Sequence, residues 1–149
     1  MSKADTVLIG VAGEYYVAAE LSRRGYIASL TSKNTKGIDM LVSNQKGDKS
    51  ASIQIKTNST GLRNWILNKK SEDEYNDKMF YVFVALKEND NPMYFVVKSG
   101  TVADYIKEKH NSWLMTPGRN GHHRNDTNMR KFDLFDDTYR DAWHMLSLD

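Results

Sequence analysis

Residues 36–56 read KGIDMLVSNQKGDKSASIQIK. Ile38 to Ser43 is a short apolar, partly β-branched run bounded by Gly37 and by the polar stretch Asn44 to Ser50. Ala51 to Lys56 alternates, with Ile53 and Ile55 on one side and Ser52, Gln54 and Lys56 on the other. Two such runs around a turn rich in Asn, Gly and Asp predict a β-hairpin. Asp39 stands at the mouth of the first strand. Gln54 and Lys56 share one face of the second, because side chains repeat with a period of two. The hairpin brings them close to Asp39. An acid, an amide and a lysine converging on one sheet surface suit a metal and phosphate site.

The hairpin sits in an ordinary globular composition. The chain has 149 residues, 40% hydrophobic and 27% charged, enough for one domain with a core over residues 1–149. There is no cysteine, which excludes a disulfide framework and a thiolate zinc site. Met-Ser-Lys-Ala-Asp at the start is not a secretory signal, and no apolar run approaches a membrane span, so a cytoplasmic location with no membrane partner is expected. A net charge of +2 is too small to point to nucleic acid by itself. The distribution of charge has to carry that argument.

Upstream of the hairpin, Asp5 or Thr6 is expected to cap a helix that Gly25 ends. Val7, Val11, Glu14, Ala18 and Leu21 follow three-and-four spacing and predict one inward stripe. Glu14 is the polar member. A carboxylate on an inward stripe costs several kcal/mol unless it is paired, protonated or bound to metal; the alternative is an edge position reaching water. Gly10 and Gly13 each weaken the helix by roughly 1 kcal/mol relative to Ala, and fit a close approach of the sheet or of a phosphate backbone. Tyr26 to Thr31 reads as a strand.

The order is thus helix with Glu14, strand, strand opened by Asp39, strand carrying Gln54-Ile55-Lys56. This order resembles the PD-(D/E)XK nuclease superfamily, which includes restriction endonucleases, Holliday junction resolvases and transposon-end endonucleases. The stretch Gly-Glu-Tyr-Tyr-Val-Ala-Ala-Glu-Leu followed by Arg-Arg-Gly-Tyr is similar to resolvase-like members. The resemblance covers roughly residues 8–57. It implies an α/β fold, a central mixed sheet of four to six strands flanked by helices. It also implies a metal-dependent endonuclease acting on DNA, with Mg²⁺ or Mn²⁺ as cofactor. Asp39 would be the main ligand, with Gln54, the Ile55 carbonyl and Glu14 supplying others; Lys56 would polarise the attacking water.

Two positions depart from the superfamily pattern. Gly37-Ile38 replaces a proline-containing pair, and Gln54 stands where an acid is usual. A neutral amide oxygen still ligates a hard cation, with less charge and lower affinity. A non-catalytic nucleic-acid- or protein-binding module that keeps the fold is therefore the alternative. Taken alone, the hairpin is also what many half-exposed sheets show; Glu14, in order and on an inward stripe, tips the reading toward a nuclease site.

The rest of the chain supports a domain around this site. Thr57 to Asn64 is polar and suits a phosphate backbone, Trp65 and Leu67 alternate as in a short strand, and Lys69 to Lys78 reads as a solvated connector. The superfamily more often carries a helix there. Met79 to Leu86 and Met93 to Val97 form a second hairpin of near-continuous apolar strands, expected at the sheet centre and buried on both faces. Thr101 to Lys109 predicts a helix with Val102, Tyr105 and Ile106 inward. Residues 116–131 predict a loop holding Arg119, His122, His123, Arg124, Arg130 and Lys131 against one acid, Asp126. With Lys36, these are the candidate phosphate contacts; a solvated loop is the other reading. Adjacent histidines without cysteine do not suit zinc. Asp136 or Asp137 is expected to cap a last helix through Trp143 and Leu146. Double-strand cleavage would need a homodimer or two nicking events, and the sequence leaves both open.

Overall fold

The computed structural model describes residues 5–33 and 35–149. Helix α1 spans Thr6–Arg23, and the Asp5 carboxylate caps it by accepting the Leu8 N–H at 2.9 Å. It ends as expected at Gly25. That residue has φ +91°, the Tyr26 N–H donates to the Leu21 carbonyl and the Gly25 N–H to that of Ser22. Strands β1 (Ile27–Leu30), β2 (Met40–Ser43), β3 (Ser50–Asn58) and β4 (Asn64–Asn68) follow. A short 3-10 helix (Lys69–Asp73) leads to β5 (Met79–Ala85) and β6 (Met93–Lys98). Helix α2 (Ser99–Met115), β7 (Met129–Asp133) and a 3-10 turn (Trp143–Leu146) complete the chain.

Five strands form one mixed sheet in the order β1-β2-β3-β5-β6. β3 and β5 run parallel and the other neighbours antiparallel. The β5–β6 hairpin lies where its apolar pattern put it: every residue of β5 is buried. One core cluster joins the β3 residues Ala51, Ile53 and Ile55 to Val17 and Leu21 of α1 and to the C-terminal Trp143 and Leu146. A second, on the opposite face, joins Tyr81, Phe83 and Phe95 to Val102 and Ile106 of α2 and to Trp65, Leu67 and Phe132. Each contact removes apolar surface from water, the main favourable term in folding.

A parallel pair such as β3 and β5 needs a crossover, usually a helix. Here β4 and the 3-10 helix fill that role. β4 pairs with β7 as a separate two-stranded sheet over the second core, and the Trp65 indole N–H donates to the Val84 carbonyl at 3.0 Å. This pairing explains one of two departures from expectation. Residues 129–131 belong to a strand rather than to a loop, because β4 supplies the ladder. The last helix reduces to the Trp143–Leu146 turn: Asp136 accepts the Thr138 N–H in a local turn and residues 137–142 form no helix. Helix α2 runs further than expected, to Met115, and takes in Trp113 and Leu114.

The buried stripe of α1 also differs. It is Gly13, Val17 and Leu21, while Val7 is 71% exposed. Both stripes share the same spacing. Contact with β3 selects one: a Cβ built on Gly13 would lie 1.8 Å from Thr57 Oγ1, so only glycine permits this approach. Among the described residues nothing lies within 4 Å of the equivalent position on Gly10, which makes no such approach. Glu14 consequently flanks the stripe, half-buried, rather than lying within it.

Candidate active site at the parting of two strands

β2 and β3 pair only from Met40↔Ile53 to Ser43↔Ser50. β3 continues to Asn58, so its residues from Gln54 onward lose their β2 neighbour. Asp39 stands at that parting. Its N–H donates to the Ile53 carbonyl at 2.9 Å and its carbonyl accepts the Thr31 N–H at 3.0 Å. Its carboxylate Oδ2 accepts the Ile55 N–H at 2.7 Å. The side chain therefore replaces the ladder rung that the strand no longer supplies. A backbone N–H bond to a charged acceptor is among the stronger kinds and holds the carboxylate in one orientation.

Glu14 reaches the same place from α1. Its pKa is raised, first by burial and then by the negative charge of Asp39. Two carboxylates close enough to repel, in a half-dry position, leave excess negative charge there. Gln54 and Lys56 flank Ile55 along β3, half-buried and on the face opposite the Ile55 side chain. They lie beside Tyr81 and Phe83 of the parallel neighbour β5. Asp39 comes level with Gln54, one step beyond the Met40↔Ile53 pair.

The Glu14 and Asp39 carboxylates are thus brought together, and Asp39 is tied to the centre of the Gln54-Ile55-Lys56 triplet. Among the described residues no three His, Cys, Asp or Glu side chains gather around one point. The available set is two carboxylates, one amide oxygen and the Ile55 carbonyl. All are hard oxygen donors, the chemistry that suits Mg²⁺ or Mn²⁺ and not a thiolate or imidazole metal.

Sequence reasoning anticipated an approach of Gly13 to the sheet but passed over its partner. Thr57 follows the triplet, packs its side chain on Gly13, and its hydroxyl is buried without a hydrogen-bond partner among the described residues. The one available signal was a β-branched polar residue on the apolar face of β3.

The candidate phosphate contacts separate into groups. Lys36, Arg119, His122, His123 and Lys131 are exposed. The Arg124 Nε donates to the Thr116 carbonyl at 2.9 Å, and its guanidinium lies over the Trp113 ring at 4.8 Å. Arg130 departs from the expectation. It is 3% exposed, its Nε donates to Glu72 Oε1 at 2.6 Å and its Nη1 to the Thr127 carbonyl at 2.6 Å. Strand alternation in β7 points Arg130 and Phe132 inward and Lys131 outward. Arg130 is spent on the fold.

Neither a protein-family model nor a curated protein matches the sequence. Solved structures do. The structure of the bacterial homing endonuclease I-Ssp6803I is similar, with a TM-score of 0.55 and 15% identity over 97% of this chain and 94% of that one. The Holliday junction resolvase Hjc from the hyperthermophilic archaeon Archaeoglobus fulgidus aligns with a TM-score of 0.48 and 11% identity over 83% of each chain. The likeness to the homing endonuclease is one of fold, and the fold is the restriction endonuclease-like one that the sequence resemblance implied.

Proposed function

We propose that this protein is a metal-dependent endonuclease that hydrolyses DNA phosphodiester bonds at the Asp39 site. The observation that carries the proposal is the Asp39 carboxylate, fixed on the Ile55 N–H at the parting of β2 and β3, with Glu14 near enough to feel its charge. Fixing one oxygen of Asp39 on the backbone orients the other for a ligand. Glu14, Gln54 and the Ile55 carbonyl complete an oxygen set for Mg²⁺ or Mn²⁺. Bound there, such an ion would neutralise charge developing on phosphate and make water more acidic. Lys56 carries an ammonium on the same strand face as Gln54, where it orients water by hydrogen bonding and stabilises negative charge in the transition state. Lys36 and the exposed Arg119 and Lys131 supply cations for the backbone of the DNA, and the exposed His122 and His123 supply hydrogen-bonding groups.

Gln54 in place of an acid favours a second reading, a nucleic-acid-binding domain that keeps the fold without cleaving. One experiment separates the two. Supercoiled plasmid and branched DNA are incubated with Mg²⁺ or Mn²⁺, with Asp39→Asn as control. Metal-dependent nicking that Asp39→Asn abolishes supports the nuclease; binding without nicking in either metal leaves the binding domain.

A further inference from the structure

A cavity of about 540 Å³ opens between α2 and β7, within the roughly 300–1,000 Å³ common for ligand sites. Helical spacing of three, four and seven residues puts Ile106, Lys109, His110 and Trp113 on one face of α2. A period of two puts Met129, Lys131 and Asp133 on one face of β7. All seven line the cavity. Ile106, Met129 and Trp113 make an apolar wall beside the charged groups.

Those charges do not balance. Asp133 accepts from the Lys109 ammonium and from the Tyr105 hydroxyl. His110 is taken by Asp126 at 2.7 Å. Among the described residues Lys131 has no acid within ion-pair distance. Its charge adds to burial in pushing the Lys109 pKa down. Two ammonium groups near enough to repel thus line the cavity and only Lys109 has a carboxylate partner, so an anion entering there removes a penalty. Trp113 cannot offer a face, since the Arg124 guanidinium lies at 4.8 Å and the His110 ring at 5.5 Å. It offers an edge. From Arg124 the exposed His123, His122 and Arg119 continue a cationic path along the loop.

Resting on the nuclease reading, we propose that this cavity receives one unpaired nucleotide of a DNA strand. The base packs against Ile106, Met129 and the Trp113 edge, its phosphate meets Lys131, and the neighbouring phosphates follow the loop. A paired base in a duplex would have to leave its stack to enter. The pocket therefore favours DNA with unpaired nucleotides.

The test uses a six-nucleotide thymidine strand and an abasic strand of equal phosphate number, both in EDTA so that cleavage plays no part. Trp65 and Trp143 are each 3% exposed, so quenching of intrinsic fluorescence reports on Trp113. The thymidine strand should quench and should bind about tenfold or more tighter than the abasic strand, in keeping with base–side-chain contacts elsewhere. Met129→Asp should remove that preference, and Lys131→Ala should weaken both strands. Both residues are exposed, so both variants should fold, and the comparison of strands on the parent protein needs neither. Equal affinity for the two strands, or a preference that survives Met129→Asp, overturns the pocket. Loss of all strand binding while plasmid nicking persists overturns it and leaves the nuclease reading standing. A base preference in a protein that never nicks DNA supports the pocket and removes the nuclease reading instead.

Discussion

Two carboxylate environments in this molecule are opposites. Glu72 meets a cation: Arg130 lies against it at 2.6 Å, sealed under β7, with the Thr127 and Met129 carbonyls accepting from its Nη1. Glu14 meets another acid. Burial raises its pKa, and the nearby charge of Asp39 raises it further. The first arrangement pairs opposite charges inside the fold. The second holds like charges together at a cost to the fold, which is how sites that bind or react tend to differ from those that only support.

The comparison breaks most sharply at Arg130. Arg130→Ala strands a mostly buried Glu72 and two carbonyls, and should cost about 3–5 kcal/mol in urea unfolding. Any metal-induced rise in melting temperature should survive in the variant under conditions where it still folds. If the loss is under about 1 kcal/mol, the pair is no structural keystone.

Gly13→Ala comes next. The new Cβ must push α1 off β3, costing roughly 1–3 kcal/mol. It also moves Glu14 away from Asp39, so metal affinity measured by calorimetry should drop more than for an Ala substitution at the open Gly10. Equal effects at both glycines would remove Gly13 from any account of the site.

The metal response sharpens the acid side. In Gln54→Glu, a third carboxylate should lower the melting temperature in EDTA and enlarge the rise on adding Mg²⁺, since a ligand that binds only the folded state stabilises it by mass action. Asp39→Asn should abolish the rise in either background. Flat melting curves with Mg²⁺ and Mn²⁺ in parent and Gln54→Glu would end the metal reading.

The smallest effect is at Glu14 itself. A carboxyl whose pKa is raised on folding favours its neutral form in the folded state. Its relative stabilisation is present below the unfolded pKa and is lost as pH rises through the folded one. At neutral pH without metal, Glu14→Gln should therefore melt higher than the parent, by about 2 °C or less, and the gap should close on acidification to about pH 4. A gap that persists in acid would come from packing and not from charge.

The hairpin that carries Asp39 and the Gln54-Ile55-Lys56 triplet is legible in the sequence because its signals are local. A turn rich in Asn and Gly separates two short runs, and alternation assigns each side chain a face. The β5–β6 pair is legible for the same reason, in continuous apolar strands with a short connection. The pairing of β4 with β7 is not legible, since it joins residues 61 to 69 positions apart through no pattern that either strand carries alone. Arg130 follows from that pairing: in the sequence it is one cation among several, and only the ladder turns it inward to Glu72.

Residue types, their order and their faces along each strand were settled by the sequence, because backbone periodicity is a property of the chain itself. The roll of α1 was settled by tertiary contact. Val7-Val11-Glu14 and Gly13-Val17-Leu21 obey one spacing, and nothing local chooses between them. Thr57 chooses, because its side chain leaves room for a glycine and for no other residue. That steric choice sets Glu14 at the edge of the core, beside Asp39, where two negative charges share one place.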